Sequence, residues 1–279
     1  MTIPRIELND GTSIPQLGFG VFRVPSPETE KVVAEALAAG YRHLDTAQMY
    51  GNEEGVGQAI AASGLPRDEL YVTTKLDNGF HRPDDARRAF DDSLTRLGLD
   101  RVDLFLIHWP LPMLYDGDFV STWQTLVELR EDGRATSVGV SNFQPDHLDR
   151  IVEETGVTPV VNQVECHPFF RNDPVRTANG RHGVVTEAWA PIAKGRVGDD
   201  ETIGEIASLT GRTAAQVVLR WHLQHGHVVF PKTTRPERMR ENADLFDFEL
   251  TDEQMVAIDA LNRGEDGRAG AHPDRFDRV

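Results

Sequence analysis

One cysteine, Cys166, stands among 279 residues. An intrachain disulfide is therefore excluded, a reducing compartment is expected, and Cys166 reads as a small packed residue. Basic residues are also scarce: 29 Lys and Arg face 45 Asp and Glu, a formal charge of −16. A surface this acidic repels phosphate backbones and anionic lipid, so neither nucleic acid nor a membrane is an expected partner. No apolar run approaches the roughly 18 residues of a membrane helix, and MTIPRIELND lacks the basic and apolar regions of a signal peptide, which makes the cytoplasm the expected location. Low-complexity tracts are absent, and 39% apolar with 27% charged residues is the balance of a folded globular chain. A glycine-rich dinucleotide turn is missing as well. GFGVFR offers Gly18 and Gly20 but Arg23 in place of a third glycine, and GVGQAI, with Gly55 and Gly57, falls inside a predicted helix. An open doubly wound sheet, the second-best architecture, normally carries that turn after its first strand.

What is present is alternation. IPRIEL and SIPQLG read as a hairpin around Asn9, Asp10, Gly11 and Thr12. From Leu17 onward, eight β-rich runs follow: LGFGV, YRHLDTA, LYVTTK, VDLFLI, TSVGVS, VVNQVE, VVTEAW and HVVF. Between them lie amphipathic stretches such as TEKVVAEALAAG, EEGVGQAIAASG, DDARRAFDDSLTRLG, TWQTLVELREDG and DHLDRIVEET, several starting after Ser, Thr or Asp and stopping at Gly. Parallel strands joined by crossover helices explain this order, and eight units close into a (β/α)8 (TIM) barrel, an α/β fold expected to span residues 1–279 as one domain. Two further helices, PERMRENA and TDEQMVAIDALN, follow the last strand. The polar end, NRGEDGRAGAHPDRFDRV, reads as a loop over the barrel mouth, the alternative being a frayed terminus.

Chemistry in such barrels collects where the strands end. Asp45 closes the second barrel strand, Lys75 the third, His108 the fourth, Ser141 and Asn142 the fifth, Gln163 the sixth, Trp189 the seventh and Lys232 the eighth, with Tyr50 in the loop after the second. Each has an ordinary reading: a cap for Asp45, a solvated chain for Lys75, a structural imidazole for His108, loop packing for Tyr50 and core packing for Trp189. Together they make a constellation. A phenol with a pKa of about 10 becomes a useful acid when a nearby ammonium lowers it, and a carboxylate holds the ammonium charged. Asp45, Lys75 and Tyr50 supply the three parts.

The segments GYRHLDTAQMYGNEEGVG, TTKL, DLFLIHWP, GVSNF, VNQVECHP and PKTTRPERMREN occur in this order along nearly the whole chain. In this the chain resembles the aldo-keto reductases, most closely the bacterial branch with the 2,5-diketo-D-gluconic acid reductases and actinobacterial homologues. The resemblance implies a monomeric, NADPH-dependent reductase of small-molecule carbonyl groups (aldehydes, ketones or α-dicarbonyls), with Asp45, Tyr50, Lys75 and His108 as catalytic tetrad. Tyr50 donates the proton to the carbonyl oxygen, Lys75 tunes it, Asp45 anchors Lys75 and a neutral His108 orients the carbonyl. For the cofactor it implies that Ser141, Asn142 and Gln163 hold the carboxamide, that Trp189 stacks on the nicotinamide, and that Ala190, Pro191, Ile192, Lys194 and Gly195 follow the pyrophosphate. One departure is visible: KLDN, with Asp77, stands where the family often has an aromatic, which leaves open a polar substrate wall or a solvated side chain.

The KTTRPERMR segment puts Lys232, Arg235, Arg238 and Arg240 against a single acid, Glu237. Thr234 and Glu237 have capping-box spacing with Pro236 in the first turn, so a helix N-terminus is expected to join these cations in binding a 2′-phosphate, with Thr233, Glu241 and Asn242 nearby. Phe22, Met49 and Trp109 are expected to line the substrate pocket beside Asp77, with His272 of the tail closing it. His222, His225 and His227 straddle a helix end and a strand start, and no metal is expected there. Two rival readings stay open: a Schiff base on Lys75, and a non-enzymatic NADPH-binding sensor.

Overall fold

The computed structural model describes residues 3–279. Residues 5–15 form an antiparallel hairpin of β1 (Arg5–Glu7) and β2 (Ser13–Pro15), in register Ile6 opposite Ile14. Eight parallel strands follow: β3 (Phe19–Gly20), β4 (His43–Asp45), β5 (Tyr71–Leu76), β6 (Val102–Ile107), β7 (Ala135–Ser141), β8 (Val161–Glu165), β9 (Val185–Trp189) and β10 (Val228–Val229). Each pairs with the next in sequence. A parallel bridge from Leu17 to Val229, with Gly18 N donating to Val229 O and Val229 N to Gln16 O, closes the ring. That closure decides for the barrel over the open sheet, and six of the eight strands fall within the β-rich runs read from sequence, while β5 and β7 each overrun theirs by one residue, Leu76 and Ala135.

The crossovers are α1 (Ser26–Ala38), α2 (Glu53–Ala62), α3 (Pro83–Leu97), α4 (Phe119–Glu131), α5 (Pro145–Thr155), α6 (Asp173–His182), and the pair α7 (Glu201–Thr210) and α8 (Ala214–Gln224). After the barrel come α9 (Pro236–Ala243) and α10 (Asp252–Asp259). Their ends are encoded locally. Thr213 with Gln216 and Thr251 with Gln254 form reciprocal capping boxes, and Asp118 accepts the Ser121 N–H at the start of α4. The capping box expected of Thr234 and Glu237 does not form. Pro236 takes the first helical position and holds the residue before it extended, so Arg235 becomes the N-cap and Thr234 falls outside the helix.

One apolar cluster lies between barrel and helices, with Trp123, Trp221, Phe90 and Phe105 at its centre. A second fills the end of the barrel where the strands begin: Leu8 and Ile14 of the hairpin meet Tyr71, Leu104, Val161 and Val228. The hairpin is thus a plug, and only the opposite end remains for function. Backbone strain has the same polarity. Nine non-glycine residues have positive φ among the described residues: Arg23, Leu111, Tyr115, Asp116, Asn142, Asn172, Ala190, Ala193 and Lys194. All nine lie in loops leaving the C-terminal ends of strands, where such conformations, costing about 1–3 kcal/mol each, collect at functional sites.

The tail does close over the mouth. Glu165 at the end of β8 accepts the Ala269 and Gly270 N–H groups, Lys194 donates to Ala269 O, Asn78 donates to Arg278 O, and Phe276 stacks on Trp109 at 4.1 Å. Gly267 is needed for the approach: a Cβ there would sit 1.7 Å from Phe169 O.

Candidate active site

Alternation along the strands points Asp45 (β4), Lys75 (β5), Ser141 (β7), Gln163 (β8) and Trp189 (β9) into the barrel near the strand ends, with His108 just past β6. Tyr50 comes from a single turn, Gln48–Tyr50, that α2 follows directly. Lys75 Nζ donates to both Asp45 oxygens at 2.8 Å, to Thr46 O at 2.9 Å, and lies 3.4 Å from the Tyr50 hydroxyl. Both members of the Lys75–Asp45 pair are buried. The His108 ring stands edge-on to Tyr50 with centroids 5.7 Å apart.

Charge in so dry a place obeys competing effects. Burial alone would push the Lys75 ammonium down, but the Asp45 carboxylate outweighs it and holds the group above its usual value. Protonated and fully engaged, Lys75 has no lone pair for a Schiff base, which removes that rival. The sequence-based expectation of a net lowered Tyr50 is not met. Burial raises the phenol, Lys75 pulls against it and Asp45 adds to it, so the sum lies above the ordinary tyrosine value. Lys75 acts in the expected direction without prevailing, and Tyr50 keeps its proton at neutral pH. Burial, then Lys75, holds His108 well below the usual imidazole value, so it is neutral as expected. Its Nδ1 has no partner, and because an unpaired lone pair is cheaper to bury than an unpaired N–H, the proton belongs on Nε2.

The residues expected around a cofactor form a linked set. Ser141 Oγ donates to Gln163 O, Asn142 Nδ2 donates to His108 O, and Trp189 Nε1 donates to Asn142 Oδ1 at 2.9 Å. Gln163 Nε2 reaches Asp45 Oδ2 at 2.9 Å and Glu187 Oε2 at 3.1 Å. Ala190, Pro191, Ile192, Lys194 and Gly195 form the turn after Trp189, with Ala190 and Lys194 at positive φ. Around the start of α9, Lys232, Arg235 and Arg238 are exposed, as is Arg240 in its last turn, and among the described residues none makes an ion pair. Thr233 Oγ1 accepts the Arg235 N–H, and Glu241 is tied to Thr213 Oγ1. Asn242 is buried on α9.

At the rim, Phe22 packs on Tyr50 at 5.0 Å, and Phe22 and Met49 are exposed. Asp77 has a duty that neither sequence reading foresaw: its Oδ1 accepts the Gly79 N–H and caps the turn Asn78–Phe80. His272 likewise caps a turn through Asp274 N, and the tail residue stacked on Trp109 is Phe276. Sequence reasoning missed Phe276, Glu165 and Glu187. The two glutamates were accessible through strand parity, since they stand two residues from Gln163 and Trp189 respectively. The histidines expected to hold no metal pair off: His222 and His227 are joined through their Nδ1 atoms at 3.0 Å and His225 bonds Asp259, while buried Cys166 completes a group with His222 and His227. No described helix is long and apolar enough to cross a membrane.

The chain is similar to known proteins along nearly its whole length. Over 273 residues the chain is 48% identical to an aldo-keto reductase of Mycolicibacterium smegmatis, covering 98% of each. It is 46% identical to the methylglyoxal reductase DkgA of Yersinia pestis over 276 residues, covering 98% of this chain and 97% of that one. Among solved structures, a mutant of Gox0644 in complex with NADPH superimposes with a TM-score of 0.94 at 46% identity, covering 99% of each chain. The model of the Aldo/keto reductase family matches residues 16–263. With a closed barrel, a plugged base and a buried carboxylate, ammonium and imidazole beside a half-buried phenol at the open end, the chain belongs to the aldo/keto reductase family.

Proposed function

We propose that the protein reduces aldehydes, ketones or α-dicarbonyls of small molecules to alcohols with NADPH, and that Tyr50 is the general acid. The single observation that carries this reading is Lys75 Nζ, fixed by Asp45 and Thr46 with the Tyr50 hydroxyl 3.4 Å away. When bound, the reduced dinucleotide supplies the hydride. The residues present fit such a group: a half-exposed indole, a buried carboxamide and buried hydroxyl at the mouth, and unpaired cations at the N-terminus of α9.

Tyr50 holds a proton at its hydroxyl oxygen and gives it to the substrate carbonyl oxygen as negative charge develops there. Lys75 stabilises the phenolate left behind, and Asp45 keeps Lys75 charged and in place. His108 donates from Nε2 to the same carbonyl oxygen and orients it. Ser141, Asn142 and Gln163 present polar atoms for a carboxamide, and Trp189, fastened by Asn142, offers its face for stacking. Lys232, Arg235 and Arg238 select a 2′-phosphate over a bare ribose, with Arg240 adding charge. Phe22, Met49, Trp109 and Phe276 shape the substrate side, and Asp77, its carboxylate shared with the Gly79 N–H, favours polar substrates.

The test is Tyr50→Phe, with NADPH oxidation followed against a panel that begins with methylglyoxal, the substrate in the Yersinia pestis relative's name. Turnover should fall by about 10²- to 10⁴-fold with NADPH binding, read by quenching of protein fluorescence, nearly unchanged. Undiminished turnover would overturn the assignment.

A further inference from the structure

Glu187 lies on β9 two residues before Trp189, so both point into the barrel and Glu187 occupies the layer beneath the site. It is fully buried, and none of the roles above uses it. Its Oε2 accepts one hydrogen of the Gln163 amide at 3.1 Å, and the same nitrogen reaches Asp45 Oδ2 at 2.9 Å. Its Oε1 has no partner. The ionisable groups around it are Asp45 on β4 and Lys75 and Tyr71 on β5; His43, two residues before Asp45 on β4, is neutral, held near 3 by burial. Its partners across the sheet, Gln163 on β8 and Val228 on β10, are uncharged. Lys75 donates to Asp45, Thr46 and Tyr50 and not to Glu187.

Two things follow. A carboxyl with one hydrogen bond, no bonded cation and a carboxylate nearby is cheaper to bury as the neutral acid than as the anion. In addition, the Gln163 amide cannot flip without setting its oxygen against the Asp45 carboxylate 2.9 Å from its present nitrogen. With both amide hydrogens taken, the oxygen is what Gln163 has left for a ligand.

We propose that Glu187 is a positioning residue for hydride transfer: sharing the Gln163 amide with Asp45, it locks that carboxamide with its oxygen free for the cofactor, and it does so as a neutral acid, leaving Asp45 the one anion against Lys75. This rests on the reductase reading above. Burial, then Asp45, pushes Glu187 up to about 8, so the lock works through the neutral range. Above that pH a second anion forms beside Lys75, makes Tyr50 a weaker acid and slows reduction.

The first experiment needs no turnover. In the infrared difference spectrum of a pH titration of cofactor-free protein, a protonated-carboxyl band should vanish through about pH 8 in the wild type and be missing in Glu187→Gln. Loss of that band only below pH 6 in the wild type, or its persistence in the variant, would overturn the proposal. Fluorescence titration with NADPH then tests the lock. Glu187→Leu, which leaves an amide hydrogen of Gln163 unpaired, should bind about 5- to 100-fold more weakly, and Glu187→Gln, which still offers an acceptor, should restore most of it. Equal affinities for the Leu and Gln variants would refute the lock even if the band titrates as expected. In the pH profile of kcat, Glu187→Gln should lose the alkaline step near 8, and its retention would argue against the proposal. Failure of the underlying reading shows differently: Tyr50→Phe turns over normally while Glu187 still titrates.

Discussion

Asp45→Asn isolates the charge pair at the centre of the site. The change is nearly isosteric, keeps an acceptor for Lys75, and leaves an ammonium that is fully buried beside a side chain only 3% exposed. Removing one partner of such a pair costs about 3–5 kcal/mol of stability. An independent limit comes from the proton. Lys75 escapes the unpaired charge by deprotonating, which at pH 7 costs a lysine of ordinary pKa about 1.36 × (10.4 − 7), or about 5 kcal/mol. The loss at pH 7 should therefore lie between about 3 and 5 kcal/mol. The pH dependence has a definite sign. In the variant the folded-state pKa of Lys75 falls below the unfolded value, so the unfolded chain binds more protons between the two, and stability relative to wild type rises with pH across that window. Urea unfolding at pH 7, 8 and 9 measures it, and the deficit should shrink toward about 2 kcal/mol at pH 9. The double variant Asp45→Asn/Lys75→Met should be more stable than Asp45→Asn alone, since it no longer buries an unpaired charge. A deficit below about 1 kcal/mol, or one flat with pH and additive with Lys75→Met, would refute the account of the pair.

Two further outcomes are open to measurement. Arg238→Ala should weaken NADPH about 10-fold or more while changing NADH little, because a charge-assisted bond to phosphate is lost; equal losses by titration calorimetry would remove Arg238 from phosphate recognition. Gly267→Ala drives a Cβ into the Phe169 carbonyl and should lift the tail, seen as faster proteolysis after residue 263 and a raised KM; an unchanged digestion pattern would show that the segment tolerates the clash.

Much of this was open to reading because the information is local. The run VDLFLI is a nearly unbroken apolar stretch, as a parallel strand buried on both faces requires, and the polar residues at the ends of runs such as VVNQVE mark the mouth. Asp45, Lys75, Tyr50 and His108 converge because barrel topology leaves them little choice. What escaped depends on distant partners. The Phe276 stack on Trp109 joins positions far apart in the chain, and the Trp189 bond to Asn142 spans 47 residues. Glu187 was obscured because a charged residue in a strand normally faces water. The net effect on Tyr50 turned on how dry its surroundings are, a property of packing that charge counting cannot supply. At Thr234 two local signals competed, and the ring of Pro236 prevailed over the capping spacing.

The unequal distribution of awkward backbone has an evolutionary side. Among the described residues, every non-glycine residue forced into a left-handed conformation belongs to the open end of the barrel, while the plugged base uses ordinary geometry. Replacements that relax Ala190 or Lys194, glycine above all, would make the loop easier to fold and harder to aim. Selection for heat resistance alone would therefore erode the working end first, and variants hardened at the base would be the ones that keep their purpose.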